Sequence, residues 1–379
     1  MLNASNGRNR FSVDLLKSNH FCIGVKRGKK YRCGDNANED AISNAVELLI
    51  KAIERILRWR VWETQWIEET MDKLLGARKR VETQLRGKYS DDVVNNLLKL
   101  VDELINYNEQ FLNYWRDVDN EVRKLIEDLL NGRAEVIIWK GEKGISVYRK
   151  RITLETHKTS TGGVTVHLVL NDLEGITIKV PDIFKKVISE EEYEKIVKKV
   201  LKALKGGLEE TDGTIDRGKA CMSTTQVWQA IVWSLLYPGE IHMRINNVNV
   251  NDSDVTILWR LKTSHEPLKG KILNDVEKLG EEELLAFMLG VVLGDGWADI
   301  AKVVINGRIY DEAVIKITMA SRRFNAWKSL LERLKGMGFN WKPELAGDGV
   351  VDVRFYGSNA IDLARAMINA LPPILRDIL

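Results

Sequence analysis

The stretch Leu284-Leu-Ala-Phe-Met-Leu-Gly-Val-Val-Leu-Gly-Asp-Gly296 decides how the chain is read. An apolar run suited to a buried helix ends abruptly in Gly-Asp-Gly. Gly290 and Gly294 lie four residues apart on one helical face, a spacing that lets two helix backbones approach closely. The helix end then delivers Asp295 to the bottom of that contact. A helix C-terminus disfavours negative charge unless a cation compensates it, and a hard cation such as Mg2+ is suited to that role. A glycine-containing apolar helix is also ordinary core, and Gly-Asp-Gly an ordinary turn, so the reading depends on the residues downstream of Gly296.

Those residues have a regular order. Strand-like Lys302–Ile305 and Ala313–Met319 flank a turn containing Asn306-Gly307, a strong hairpin signal. Ser321 is placed to cap a helix carrying Phe324, Trp327, Leu331 and Leu334, stopped by Gly336 and Gly338. Strands near Asn340–Glu344 and Val350–Tyr356 precede a last helix, Asn359–Leu371, closed by Pro372-Pro373. The order over 281–379 is αββαββα.

Met288-Leu-Gly-Val-Val-Leu-Gly-Asp-Gly296 resembles the LAGLIDADG motif of homing endonucleases, and the order behind it is similar to that family's fold. The resemblance implies two such units paired through their motif helices, with the last acid of each helix binding divalent metal for phosphodiester cleavage. It makes Asp295 a metal ligand and catalytic residue, and Gly290 and Gly294 helix-packing positions. It also implies an assisting basic residue at the start of the middle helix, here Arg322 or Arg323. The family often places a Lys beyond the final helix, where this chain has Arg376-Asp377.

The resemblance requires a second unit. Lys205-Gly-Gly-Leu-Glu-Glu-Thr-Asp-Gly213 fits a degenerate motif, with Gly207 five positions before Asp212, as Gly290 is before Asp295. A charged helix, Glu190–Leu204, leads in. Strand-like Lys219–Met222 comes next, then a helix capped by Thr224 or Thr225 and ended by Pro238-Gly239, then alternating strands at Ile241–Asn246 and Val255–Lys262. The short gap from Gly213 to Thr224 leaves room for only a reduced first hairpin, and this motif helix is far more polar. Residues 188–265 thus read as a degenerate half that makes Asp212 the second metal ligand and catalytic acid, and Gly207 a packing position. A pseudo-twofold monomer and a homodimer through 284–294 both satisfy the pairing.

The sheets of this fold supply a saddle for double-stranded DNA. Its candidate contacts are Lys302, Lys316, Thr318, Arg322 and Arg354, with Arg244, Arg260 and Lys262 from the first half. Arg and Lys reach phosphates or guanine edges in the major groove, although any one of them alone is a plain surface charge.

Upstream, residues 1–40 read as a weakly structured arm with a basic run (Lys26, Arg27, Lys29, Lys30, Arg32) and a short strand around Phe21 to Val25. From Ala41 to Arg86 the period is helical, with Trp59, Trp62 and Trp66 extending the stripe after a slip in phase. After a break at Gly87–Ser90, heptads run from Asp91 to Leu130. One seam position carries Val94, Val101, Asn108, Trp115, Val122 and Leu129, the other Leu97, Leu104, Phe111, Val118 and Leu125. Segment 41–132 therefore reads as a coiled-coil helical hairpin, a candidate surface for a protein partner or self-association. Residues 133–187 read as a small antiparallel β region, with strands at Glu135–Trp139, Ile145–Glu155, Val164–Leu170 and Ile176–Val180. The fold class is α+β.

Length and composition bound the rest. At 379 residues the chain exceeds one core. Lys plus Arg (57) nearly cancels Asp plus Glu (54), so any basic surface is local. Charged residues reach 29%, mixed in sign, which fits a heat-adapted protein. Cys22, Cys33 and Cys221 make neither a dense disulfide framework nor CxxC clips, which suits a reducing cytoplasm. His20, Cys22 and Cys33 lie close in sequence, yet lack a fourth ligand at customary spacing for zinc. No signal-peptide core opens the chain, and no apolar run approaches a membrane span of about eighteen residues.

Three further stretches resemble the often decayed PaREP proteins of hyperthermophilic crenarchaea: Leu168-Val-Leu-Asn-Asp-Leu-Glu-Gly175, Glu210-Thr-Asp-Gly-Thr-Ile-Asp-Arg-Gly218 and Tyr356-Gly-Ser-Asn-Ala-Ile-Asp-Leu-Ala-Arg365. That resemblance implies lost activity in some members and a chain truncated after Leu379. Three functions fit these residues: a Mg2+-assisted DNA endonuclease, a DNA-binding protein without catalysis, and a coiled-coil interaction protein.

Overall fold

The computed structural model describes residues 12–27, 30–141, 143–159, 162–305, 308–347 and 349–378. Residues 1–11, Lys29 of the basic run, the Asn306-Gly307 turn and the end at Leu379 lie outside the described residues. The chain is a mixed α+β protein of two compact units. The first comprises Met1–Leu74, Leu104–Gly175 and Arg244–Trp259, the second Leu75–Glu103, Ile176–Met243 and Arg260–Leu379. Among the described residues no helix is long and apolar enough to cross a membrane.

The first unit holds α1 (Val13–Lys17), β1 (His20–Arg27), β2 (Lys30–Asn36), α2 (Glu39–Arg58), the start of α3 (Gln65–Leu85), most of α4 (Asp91–Leu130), and β3 (Glu135–Ile138), β4 (Gly144–Tyr148), β5 (Ile152–Lys158) and β6 (Val164–Leu170). The Asn38 side chain starts α2 by accepting the Ala41 amide at 2.8 Å. Glu39 and Asp40 in its first turn and Arg55 and Arg58 in its last complement the helix dipole. Its Leu49, Ile53 and Ile56 are fully buried, each removing apolar surface worth roughly 2 kcal/mol.

The structure corrects three sequence expectations in this unit. The phase slip after Arg58 is a break between two helices, not a continuation. Arg60 takes a φ of 45°, and the Trp66 and Trp115 indoles both donate to the Val61 carbonyl, at 3.2 and 3.0 Å. The expected weakly structured arm contains a β1–β2 antiparallel hairpin whose β1 also pairs in parallel with β3, from His20 opposite Glu135 to Ile23 opposite Ile138. A Cys22–Cys33 disulfide, with Cα atoms 5.5 Å apart, crosslinks the hairpin. The single strand expected at 145–155 is the β4–β5 hairpin, whose turn holds Arg149, Lys150 and Arg151. The Arg149 guanidinium pairs with Asp128, and that of Arg151 lies 4.5 Å over the Tyr114 ring.

Every residue of the two α4 seam positions, Asn108 included, is buried. Asn108 Nδ2 donates to the Leu104 carbonyl of its own helix at 2.8 Å. The seam is interior surface of this chain, so self-association through it has no exposed face to use.

The second unit continues with β7 (Ile176–Val180), α5 (Phe184–Val187), α6 (Glu190–Glu192), a π-helical turn Tyr193–Val197, α7 (Lys198–Thr211), β8 (Gly213–Asp216), β9 (Lys219–Thr224), α8 (Val227–Leu236), β10 (Gly239–Val250) and β11 (Val255–Thr263). Parts of β10 and β11 belong to the first unit. The β8–β9 hairpin turns on Arg217 and Gly218, both at positive φ (52° and 73°), as a two-residue hairpin loop requires. Then come α9 (Lys271–Asn274), a 3-10 turn Val276–Lys278, α10 (Glu281–Asp295), β12 (Gly296–Ile305), β13 (Arg308–Ala320), α11 (Ser321–Gly336), β14 (Lys342–Gly347), β15 (Val350–Tyr356), α12 (Gly357–Asn369) and α13 (Pro373–Ile378). The last four strands form an antiparallel sheet in the order β12-β13-β15-β14.

Strand alternation turns Ile315, Ile317, Met319, Val353 and Phe355 inward, into a core with Phe287, Trp327, Leu331, Leu334 and Leu363. Ser321 does not cap α11: Ala320 holds the cap position and no side chain accepts there. The helix expected to be the last, α12, is not the last one. The chain continues into α13, where the Asp377 carboxylate accepts from Lys88 Nζ at 3.1 Å and Tyr89 Oη at 2.9 Å.

Candidate functional site

The site is built on the pairing of α7 with α10. A Cβ on Gly207 would meet the Phe287 carbonyl oxygen at 2.1 Å and the Val291 nitrogen at 2.9 Å, while one on Gly290 would meet the Leu204 carbonyl oxygen at 2.4 Å and the Leu208 nitrogen at 2.8 Å. One offset in sequence relates Leu204 to Phe287, Gly207 to Gly290, Leu208 to Val291 and Asp212 to Asp295, so the contact is reciprocal about a local twofold. At the next position Gly294 faces Thr211, whose Oγ1 would stand 1.9 Å from an added Cβ. One half keeps the glycine and the other fills the space it leaves. Because α7 of the same chain covers Gly290, a homodimer through 284–294 is not available to this structure.

The two helices end alike. Asp212 is the C-cap of α7 and Asp295 the last residue of α10. A glycine comes after each, and a Cβ on Gly213 or Gly296 would meet the Cα four residues back, at 2.4 and 2.5 Å. Burial pushes the Asp212 carboxyl above the ordinary range; the Asp295 charge adds to that, while the Gln229 hydrogen bond and Lys269 oppose it. Protein mass around Asp295 raises its carboxyl as well, opposed by Arg323 and Lys269, although its side chain reaches solvent.

The middle helices repeat the symmetry. Gln229 and Arg323 are the third residues of α8 and α11. Gln229 Nε2 donates to the Leu293 carbonyl at 2.8 Å, and Arg323 Nη2 donates to the Glu210 carbonyl at 3.1 Å. Leu293 and Glu210 each stand two residues before their acid, so each middle helix ties down the opposite motif helix. Gln229 Nε2 also donates to Asp212 Oδ2 at 2.8 Å, and buried Thr224 holds the Gln229 side-chain oxygen. Arg323 is thus tethered, pairing at 2.6 Å with buried Glu210, rather than free beside Asp295; Arg322 is exposed.

The polarity of α7, which makes this half look degenerate, has a structural cause. Glu209 accepts from the Tyr237 hydroxyl and from the Leu268 and Lys269 amides, at 2.7 and 3.1 Å to the two amides, and Glu210 accepts from the Gly270 amide at 2.8 Å. Two buried carboxylates thereby satisfy three consecutive amides of the segment joining the halves. That anchoring places Lys269, whose Nζ donates to the Gly213 carbonyl at 2.6 Å and whose charge draws both acids down. Gln229, Glu210 and Lys269 escaped the sequence reading, because nothing in their spacing marks them.

The donor set fits a divalent cation. Among the described residues Asp295 makes no side-chain hydrogen bond or ion pair, and Asp212 uses one oxygen only. Asp212 is half-buried and feels the charge of exposed Asp295, and two largely unpartnered carboxylates in mutual range suit a hard, partly hydrated ion.

The proposed DNA contacts fall into distinct environments. Trp297, Lys316, Arg354 and Lys342 are register partners across all four strands of the last sheet, and Lys316 Nζ lies 5.6 Å over the Trp297 ring. Thr318 shares their face, donating to Asp352 at 2.7 Å. Arg354 pairs with Asp352 and Glu344, each at 2.8 Å. Lys302, opposite Asp311, belongs to the other alternation of β12, so it leaves the group. Arg260 and Lys262 both pair with Asp216, at 3.2 and 3.1 Å. Arg244 lies in the first unit and donates to Asn246 at 2.9 Å.

No known protein-family profile matches the chain, and no curated protein sequence does. Among solved structures it is similar to mesophilic variants of the homing endonuclease I-DmoI, at 12% identity and a TM-score of 0.28, over 45% of this chain and 96% of that one. I-DmoI in complex with DNA and Mn gives 13% identity and a TM-score of 0.28 over the same shares. The I-LtrWI LAGLIDADG homing endonuclease bound to target DNA gives 11% and 0.30, over 46% and 84%. The resemblance to PaREP proteins finds no support among these matches.

Proposed function

We propose that the second unit binds double-stranded DNA and hydrolyses its phosphodiester bonds with a divalent cation, Mg2+ or Mn2+, held by Asp212 and Asp295. The observation that carries this reading is the reciprocal glycine contact, which sets the ends of two paired helices side by side, each carrying a largely unpartnered carboxylate. A packing interface gains nothing from that arrangement, since the two like charges oppose each other. A cation bound by both would polarise a phosphate oxygen and lower the pKa of attacking water. The chain's own groups do the rest: Gln229 orients Asp212, Arg323 fixes the end of α7, and Lys269 supplies positive charge toward the phosphate. The row Trp297, Lys316, Arg354 and Lys342 offers an aromatic ring and three cations to the DNA backbone.

A second reading, DNA binding without cleavage, is favoured by the same Lys269, whose charge partly neutralises the acids. Incubation of a randomised plasmid library with Mg2+ or Mn2+ separates the two. The first reading expects nicking or cleavage that is lost in Asp212→Asn and in Asp295→Asn. Salt-sensitive binding with no cleavage by the intact chain favours the second.

A further inference from the structure

In the first unit, three metal-ligating residues, His20, Cys33 and Glu135, converge on the β1–β2–β3 corner, and Cys22 joins them through its disulfide to Cys33. Strand alternation puts His20 and Cys22 on one side of β1. The β1–β2 register slips between Cys22 and Gly24, and this slip brings Cys33 to Cys22. The parallel β1–β3 pairing sets His20 opposite Glu135, with His20 Nδ1 3.7 Å from Glu135 Oε2. The ligand atoms of His20, Cys33 and Glu135 all lie within 4.8 Å of one another. In sequence the set lacks a fourth member, because Glu135 is roughly a hundred residues or more away from the other three.

We propose that His20, Cys22, Cys33 and Glu135 form a zinc site when the Cys22–Cys33 disulfide is reduced. Two thiolates, one imidazole and one carboxylate are a tetrahedral zinc set, and with bonds of about 2.0 to 2.3 Å its ligand atoms stand roughly 3.5 Å apart. The His20–Glu135 separation already meets that edge.

The backbone beneath is fixed by buried Asn19. Its Nδ2 donates to the Leu16 and Leu129 carbonyls, both at 2.9 Å, and its Oδ1 accepts the Ala134 amide at 2.8 Å. His20 N donates to the Ala134 carbonyl at 3.0 Å. The residues immediately before His20 and Glu135 are therefore locked to each other, the kind of outer support that orients metal ligands.

The two states exchange through balanced chemistry. A thiol reductant attacks the half-buried Cys33 sulfur, and Cys22 leaves. A second thiol of the reductant closes its own disulfide. Two electrons and two protons thereby pass to Cys22 and Cys33. Zn2+ then displaces both thiol protons to solvent as the thiolates, His20 and Glu135 bind.

The test titrates Zn2+ into the full chain carrying Asp212→Asn and Asp295→Asn, which keeps the acid pair out of the count, in competition with a chromophoric chelator. The chain reduced by a water-soluble phosphine is expected to take one Zn2+, at least about tenfold more tightly than the oxidised chain. Co2+ in its place is expected to give a thiolate charge-transfer band that Cys33→Ser abolishes. Glu135→Gln and His20→Gln, both at exposed positions, are expected each to weaken binding about tenfold or more and to leave disulfide formation intact. Equal zinc binding by the reduced and oxidised chains overturns the proposal, as does zinc binding indifferent to Glu135→Gln and His20→Gln.

Discussion

Gly207 and Gly290 touch backbone to backbone: a Cβ on either would lie 3.0 Å from the Cα of the other, and closer still to main-chain atoms on each side. Neither helix can withdraw from the other without moving its acid. Gly207→Ala and Gly290→Ala are therefore each expected to destabilise the second unit by about 3 kcal/mol. Gly206→Ala, whose nearest clash would be with the Ile272 side chain rather than with backbone, is expected to cost less, about 1 to 2 kcal/mol, since a side chain yields more readily than a main chain. Denaturant titration of the three variants orders them.

The acids themselves oppose folding. Both carboxyls are raised by burial, with their mutual charge adding at Asp212. For a carboxyl raised in the folded state, stability is fully present below the unfolded value, about 3.9, and is lost as pH rises through the folded value. Asp212→Asn and Asp295→Asn are thus expected to raise the melting temperature at neutral pH, with the gain shrinking as pH falls below the folded values. Thermal melts across that range check the sign.

Much of the second unit was legible in sequence. The apolar period ending at Asp295, the alternating strands and the glycine stops each follow from local chemistry. The matching spacing of Gly207 to Asp212 and Gly290 to Asp295 was legible too. What sequence does not carry is pairing across distance. Gln229 and Arg323 matter because each reaches the opposite motif helix, and Lys269 because two glutamates hold its backbone. The Trp59 to Trp66 region misled because tryptophans that look like a stripe instead bond and shield a turn, and Arg149–Arg151 because a basic hairpin turn has no glycine to announce it.

Arg323 and Glu210 form a part-buried pair. Arg323→Ala leaves the Glu210 carboxylate with only the Gly270 amide and is expected to cost roughly 3 kcal/mol. Adding Glu210→Gln should return a good part of that loss, because a neutral amide needs no counter-charge. A double-mutant cycle by denaturant titration measures the coupling.

The last sheet predicts a face-dependent effect on DNA. Lys316→Ala and Arg354→Ala are each expected to weaken binding of random-sequence duplex and to lower the salt slope by about one. Lys302→Ala, on the opposite alternation, is expected to leave both unchanged. Fluorescence anisotropy over a salt series distinguishes these outcomes.

In the proposed function, two halves of one chain bring Asp212 and Asp295 to a single cation site. Electron paramagnetic resonance counts free Mn2+ in the presence of the intact chain and its variants. Asp212→Asn and Asp295→Asn are each expected to weaken Mn2+ binding by about tenfold or more, although they lie on different helices. Mn2+ binding that either substitution leaves unchanged would contradict this reading.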